Sequence, residues 1–287
     1  MQKVRRKRKK RLPLLPIAAV IAVILIGILL CVRKPEPEEE PVEETTVPTT
    51  AATTEATINP YLSDTPEERL IIFAREKGLS IEEWPESLLE LLQKNPDAEE
   101  FVRDYPFRPE EQEPIDLSDQ VGTGKVPLLY QWDKRWGYSK YGGQMMALTG
   151  CGPTCLSMAC LYVLEDPKYT PLYVADFAED NGYYVKGAGS SWTLISKGAK
   201  KLGLKVDTIP PNASRIMDEL EDGNLVVCAM GPGDFTTSGH YILLAGAKDG
   251  KAIVHDPNSS TNSQKLWKVS GFRDQISMLW VIKTGKK

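Results

Sequence analysis

The chain has 287 residues, of which 41% are apolar and 26% charged, with a formal net charge of −4. These proportions suit a protein with a folded core and exclude a chain that is disordered or membrane-embedded throughout. The charge is unevenly placed: ten of the 35 basic residues stand at or before Lys34, so 25 remain beyond it against all 39 acidic residues, a net −14. A segment of that charge is a poor partner for nucleic acid or another polyanion.

Met1 to Arg11 holds eight basic residues and no acidic one and reads as a cytoplasm-facing tail. Leu12 to Val32 then runs for 21 residues without a charge, long enough to cross a hydrocarbon core of about 30 Å as one helix. Basic residues before the run and Glu36 to Glu44 after it put the N-terminus inside and the remainder outside. The run is longer than a signal-peptide core and ends in Leu29-Leu30-Cys31 without a small-residue cleavage pattern, so a single-pass anchor is expected. Residues 33–58, rich in Pro, Glu and Thr, bury too little apolar surface to fold and form a disordered, self-repelling spacer.

Residues 59–118 read as a helical extension. Thr65-Pro66-Glu67-Glu68 starts a helix that Gly78 stops; a second runs from Pro85 to Leu92 and ends at Asn95-Pro96; a third spans Asp97 to Asp104. Such amphipathic pieces need a partner. Packing on the downstream domain is the expected role, and a cleft-blocking propeptide is the alternative.

Residues 119–287 form the main domain. Gly150-Cys151-Gly152-Pro153 is a tight turn, and Thr154 to Leu164 continues as a helix whose Cys155, Ala159, Tyr162 and Val163 share an apolar face. Cys151 thus stands at the positive end of a helix, where the dipole and free N–H groups favour its thiolate. Helices are expected at Pro171 to Asn181, Thr193 to Leu202 and Ser214 to Asp222. Between the first two, Gly187-Ala188-Gly189-Ser190-Ser191-Trp192 is either a groove-lining loop or a turn around a core tryptophan. Strands follow at Leu225 to Met230, Tyr241 to Ala245, Ala252 to His255, Lys265 to Val269 and Ile276 to Ile282. Helices first and antiparallel strands afterwards make an α+β domain. Cys155, Cys160 and Cys228 lie on that helix and in an apolar strand and are expected as buried thiols, not a disulfide framework.

The base for a cysteine nucleophile must be one of two histidines. Asp249-Gly250 marks a two-residue hairpin turn. If the flanking strands pair about it, His240 and Asp256 meet at the open end, and the carboxylate can orient the imidazole. Strand alternation points His255 away from Asp256, so His255 is read as structural or surface. No Cys or His pair has zinc-ligand spacing, and no glycine loop suited to phosphate is present, so no metal or cofactor is expected.

Together these residues resemble the C39-like family of papain-fold cysteine peptidases: Gly150-Cys151-Gly152-Pro153-Thr154, then Gly239-His240-Tyr241, then Asp256-Pro257 after a strand. Val126 to Gly137, with Gln131, is similar to the segment that opens this family's domain. The resemblance implies a papain-like fold, with a helix bearing the nucleophile packed on an antiparallel sheet. It implies Cys151 as nucleophile, His240 as base and then acid, Asp256 as orienter and Gln131 as oxyanion donor, with Gln144 as the rival for that last role. Ser191, Trp192 and Gly239 are expected to bind substrate. The expectation is an extracytoplasmic, membrane-anchored cysteine peptidase that hydrolyses a peptide or protein substrate at the cell envelope through an acyl-enzyme. A cell-wall peptide amidase or acyl transferase on the same fold, and an inactive peptide-binding module, stand as alternatives.

Overall fold

The computed structural model describes residues 65–286; the expected basic tail, the membrane helix Leu12 to Val32 and the linker 33–58 lie outside the described residues. Among the described residues no helix is long and apolar enough to cross a membrane. Thr65 caps α1 (Pro66–Lys77) by accepting the Glu68 N–H, Glu67 and Glu68 occupy its positive end, and Gly78 closes it in the left-handed region at φ 70°. α2 (Glu86–Lys94) stops at Asn95, ahead of Pro96, and α3 (Glu99–Arg103) follows. Helices this short are marginal alone. Leu70, Trp84, Leu88, Leu92, Phe101 and Val102 therefore share a core with Ala147, against which Trp132, Tyr138 and Leu148 also pack. Phe101 and Tyr138 stack at 4.2 Å between centroids, and the Tyr138 hydroxyl donates to the Phe101 carbonyl at 2.7 Å. The extension thus packs against Trp132, Tyr138, Met145, Ala147 and Leu148.

The domain is built on a six-stranded antiparallel sheet of β1 (Lys205–Thr208), β2 (Leu225–Met230), β3 (His240–Lys248), β4 (Lys251–His255), β5 (Leu266–Trp267) and β6 (Ile276–Lys283), in the order β1-β6-β2-β3-β4-β5. All six residues of β2 are buried, and they divide by alternation. Leu225, Val227 and Ala229 join the core that holds Cys155 and Leu156, while Val226, Cys228 and Met230 join the one beneath Ile216 and Leu220. Both faces of the sheet are therefore covered. The helix that begins at Cys151, α4 (Cys151–Leu164), lies on one face, backed by α5 (Pro171–Asp180), and α6 (Ala213–Glu221) lies on the other.

Several elements differ from the sequence reading. α4 begins at Cys151, and every residue from Gly152 to Leu161 is buried, because it is enclosed by sheet and α5 instead of showing one inward face. The expected helix from Thr193 is a π-turn over Leu194–Gly198 followed by one short helical turn, Ala199–Lys201. Gly198 permits this crowding, since a Cβ there would come 3.0 Å from the Tyr183 ring. Edge strand β1 has no counterpart in the sequence reading, and β5 is only two residues long because Val269 already starts a helical turn, Val269–Phe272.

Candidate active site

The β3–β4 hairpin turns at Asp249 and Gly250, both with positive φ (53° and 67°), between paired Lys248 and Lys251. Two left-handed residues are what a tight turn between right-twisted strands requires. One extra residue, Ala245, shifts the register, and Leu243 then faces His255. This brings His240 to the open end beside Asp256, and the imidazole Nε2 donates to Asp256 Oδ1 at 2.7 Å. The carboxylate is buried and accepts two further hydrogen bonds: the Asn258 N–H donates to Oδ1 at 2.9 Å, and Asn262 Nδ2 donates to Oδ2 at 2.9 Å. The Asp256 N–H in turn donates to Ser263 Oγ at 2.9 Å.

On the other side, the Cys151 thiol and the His240 imidazole lie close enough to act on each other's protonation. Because Nε2 is committed to Asp256, the ring nitrogen facing the thiol is Nδ1. Burial pushes the Cys151 thiol up, but the hydrogen bond and charge of His240, together with the N–H groups of Tyr241 and Gly152, outweigh it and hold the thiol below its ordinary value. For His240 burial acts downward, and Asp256 and Cys151 outweigh it to raise the imidazole above its ordinary range. The arrangement therefore favours a thiolate–imidazolium pair. Burial raises Cys155, Cys160 and Cys228, all of them free thiols, so Cys151 stands apart among the described cysteines.

Close approach beside Cys151 depends on Gly152: a Cβ there would lie 2.5 Å from Ser190 Oγ and 2.7 Å from Ser190 Cβ. Ser190 is itself held, its Oγ 2.8 Å from the Tyr141 hydroxyl and its carbonyl accepting from the Tyr241 hydroxyl at 3.2 Å. This pins the glycine-rich loop against the start of α4. The loop forms one wall of a cavity of about 710 Å³ that Cys151 and His240 line together with Ser191, Trp192 and Gly239. Trp192 is 48% exposed and meets Trp280 edge-on at 6.5 Å, so it is a rim residue and not a core tryptophan. No residue of the helical extension lines this cavity, and neither does any Asp, Glu, Lys or Arg.

Gln131 is buried. Its backbone N–H donates to the Pro257 carbonyl at 2.8 Å, and its Nε2 donates to the Ala147 carbonyl at 2.6 Å. It is not among the residues lining the cavity, so one of its amide hydrogens is turned away from the role expected of it. Gln144 is exposed in a two-residue strand and does not line the cavity either. His255 is a structural residue: it is buried, its Nδ1 donates to the Pro127 carbonyl at 3.0 Å, and burial lowers its pKa to about 4. The sequence reading did not find Asn258, Asn262 and Ser263. In a Ser- and Asn-rich turn their only signal is proximity in sequence to Asp256. Among the described residues no group of three or more His, Cys, Asp or Glu is placed to hold a metal ion.

The sequence matches the profile of the Peptidase_C39 like family over residues 123–285, more than half of the chain. No curated protein matches it. Among solved structures it is similar to the peptidase domain of Streptococcus ComA, a bi-functional ABC transporter involved in a quorum sensing pathway, at 20% identity and a TM-score of 0.35, over 46% of this chain and 89% of that one. It is also similar to a protein described as a C39-like peptidase from Bacillus anthracis, at 14% identity and a TM-score of 0.36, over 61% of this chain and all of that one.

Proposed function

The chain belongs to the Peptidase_C39 like family, and from that premise we propose that it is a cysteine peptidase in which Cys151 is the nucleophile, His240 the base and then acid, and Asp256 the orienter. The observation that carries this reading is that Cys151 and His240 line one cavity, with His240 bonded in turn to a buried Asp256 that is itself hydrogen-bonded by Asn258 and Asn262. The Cys151 thiolate attacks the carbonyl carbon of a peptide bond. As the tetrahedral intermediate collapses, the imidazolium gives its proton to the departing amine and a thioester remains. His240 then takes a proton from water, the hydroxide attacks the thioester, and a free carboxylic acid leaves as the thiol is restored. The developing oxyanion is assigned to the Cys151 N–H at the start of α4 and to the second amide hydrogen of Gln131.

Neutral walls, an exposed tryptophan and a glycine-rich loop favour an uncharged peptide segment across the cleft. The uncharged run Leu12 to Val32 and the basic tail before it support presentation of the domain outside a membrane. To test the peptidase reading, a mixed peptide library is incubated with the full chain and with Cys151→Ala, and new termini are identified by mass spectrometry. Cleavage by the wild type alone is expected; a cleavage pattern shared by both removes the assignment.

A further inference from the structure

The helical extension touches the site at two places without entering the cavity. At the first, Ala147 belongs to the extension's own core and Leu148 packs against it. Leu148 lines the cavity, and residues 146–149 lead directly into Gly150 and Cys151. At the second, buried Asn95, the residue that ends α2, donates its side-chain Nδ2 to the carbonyl of Asn258, and Asp97 accepts the hydroxyl of Ser260. Asn258 and Ser260 belong to the same turn that supplies Asn258 N–H, Asn262 Nδ2 and Ser263 Oγ to Asp256. One short stretch, Asn95-Pro96-Asp97, therefore grips the turn that holds the carboxylate, while the rest of the extension backs the approach to the nucleophile.

We propose that the extension is a clamp across the two halves of the catalytic centre, with Asn95 and Ser260 as positioning residues that act on His240 through the Asp256 turn. The inference rests on the Cys151–His240–Asp256 reading. Asp256 can steady the imidazolium only while its own hydrogen bonds keep it at 2.7 Å from Nε2. When the turn loosens, the imidazole loses its proton more readily, and the thiolate loses the positive charge that sustains it below its ordinary pKa. Other titratable groups act on the pair, Cys155 from α4, Tyr241 from β3 and Tyr141, while Tyr130 and Asp97 stand on the side of Asp256 and its turn. Neither Asn95→Ala nor Ser260→Ala changes the charge of any of these, so a shift in profile reports geometry.

The test is the rate of Cys151 alkylation by iodoacetamide in the full chain as a function of pH, with the melting temperature measured on the same samples. Asn95→Ala and Ser260→Ala are expected to lower the rate at pH 6, relative to each variant's plateau near pH 9, by about threefold or more, because the thiolate is the reacting form. Ser260→Thr keeps the hydroxyl and is expected to retain the wild-type profile. A purely structural role would lower the melting temperature and leave the profile in place, and an unchanged profile in Ser260→Ala overturns the inference even if Asn95→Ala fails to fold. His240→Ala separates the two levels. If it shifts the profile and the turn variants do not, the clamp alone is wrong; if it does not shift it either, the catalytic reading falls as well.

Discussion

His240 and His255 begin and end one hairpin, both near its open end, and burial acts on both, yet their protonation moves in opposite directions. His240 has a carboxylate on one nitrogen and a thiol on the other, so its charged form is favoured despite desolvation. His255 has only the Pro127 carbonyl, which a neutral ring satisfies, so desolvation prevails. His240→Ala is therefore expected to lower turnover of a library-derived substrate by a factor of at least about 10², since the thiol loses its proton acceptor and the leaving amine its donor. Asp256→Asn should lower it by less, and His255→Ala should leave it near the wild type; a dead His255 variant beside an active His240 variant would reverse the assignment. His255 instead bears on acid stability. Its folded value of about 4 lies below the ordinary value of about 6.5. In that window the unfolded chain binds a proton that the folded one does not, so stability is complete above the upper value and declines as pH falls toward the lower. The loss reaches about 3 kcal/mol. Urea titrations at pH 7 and pH 4.5 should show a smaller decline for His255→Gln, and equal declines would mean that His255 does not carry the effect.

At the level of elements, the site is a meeting of a helix start, a hairpin end and a pinned loop, and each depends on a small feature. Gly152→Ala would bring a Cβ within 2.5 Å of Ser190 Oγ, an atom already held by Tyr141. Displacing it should cost about 1–3 kcal/mol by overpacking. The variant is expected to melt lower and to alkylate Cys151 more slowly at neutral pH; a wild-type melting curve with an unchanged rate would show that the loop yields freely. The hairpin and the cysteine helix were legible in the sequence because their signals are local: Asp249-Gly250 encodes a turn, and Gly150-Cys151-Gly152-Pro153 encodes a helix start. What escaped depends on contacts distant in the chain. β1 has one buried residue, Val206, and is a strand because β6 lies beside it. The partners of Asp256 come from a polar turn that sequence reads as an ordinary loop, and Asn95 reaches Asn258 across 163 positions. The side-chain direction of Gln131 was equally out of reach, since it is decided by the position of the Ala147 carbonyl.

For the whole molecule, the proposal that the domain is presented outside a membrane can be tested, and the charge distribution gives the means to ask. The domain and its spacer carry the net negative charge beyond Lys34, while eight basic residues stand before Leu12. Lys and Arg near an uncharged helix are retained on the cytoplasmic side, whereas acidic residues have little say in orientation. On the proposed reading, an uncharged run of 21 residues at about 1.5 Å per helical residue would span about 30 Å, with the Pro-, Glu- and Thr-rich residues 33–58 between it and the domain. If residues 33–58 are the spacer that their composition predicts, they should be cut more readily by added protease than the folded extension starting at Pro66. In intact cells that express the full chain with a tag at Met1, externally added protease is expected to cut within this spacer and release the peptidase domain, while the tagged fragment stays protected. Detergent should abolish that protection. A free secreted domain whose N-terminus falls just after the uncharged run would show cleavage of a signal peptide instead, and loss of the tag in unpermeabilised cells would show the opposite orientation.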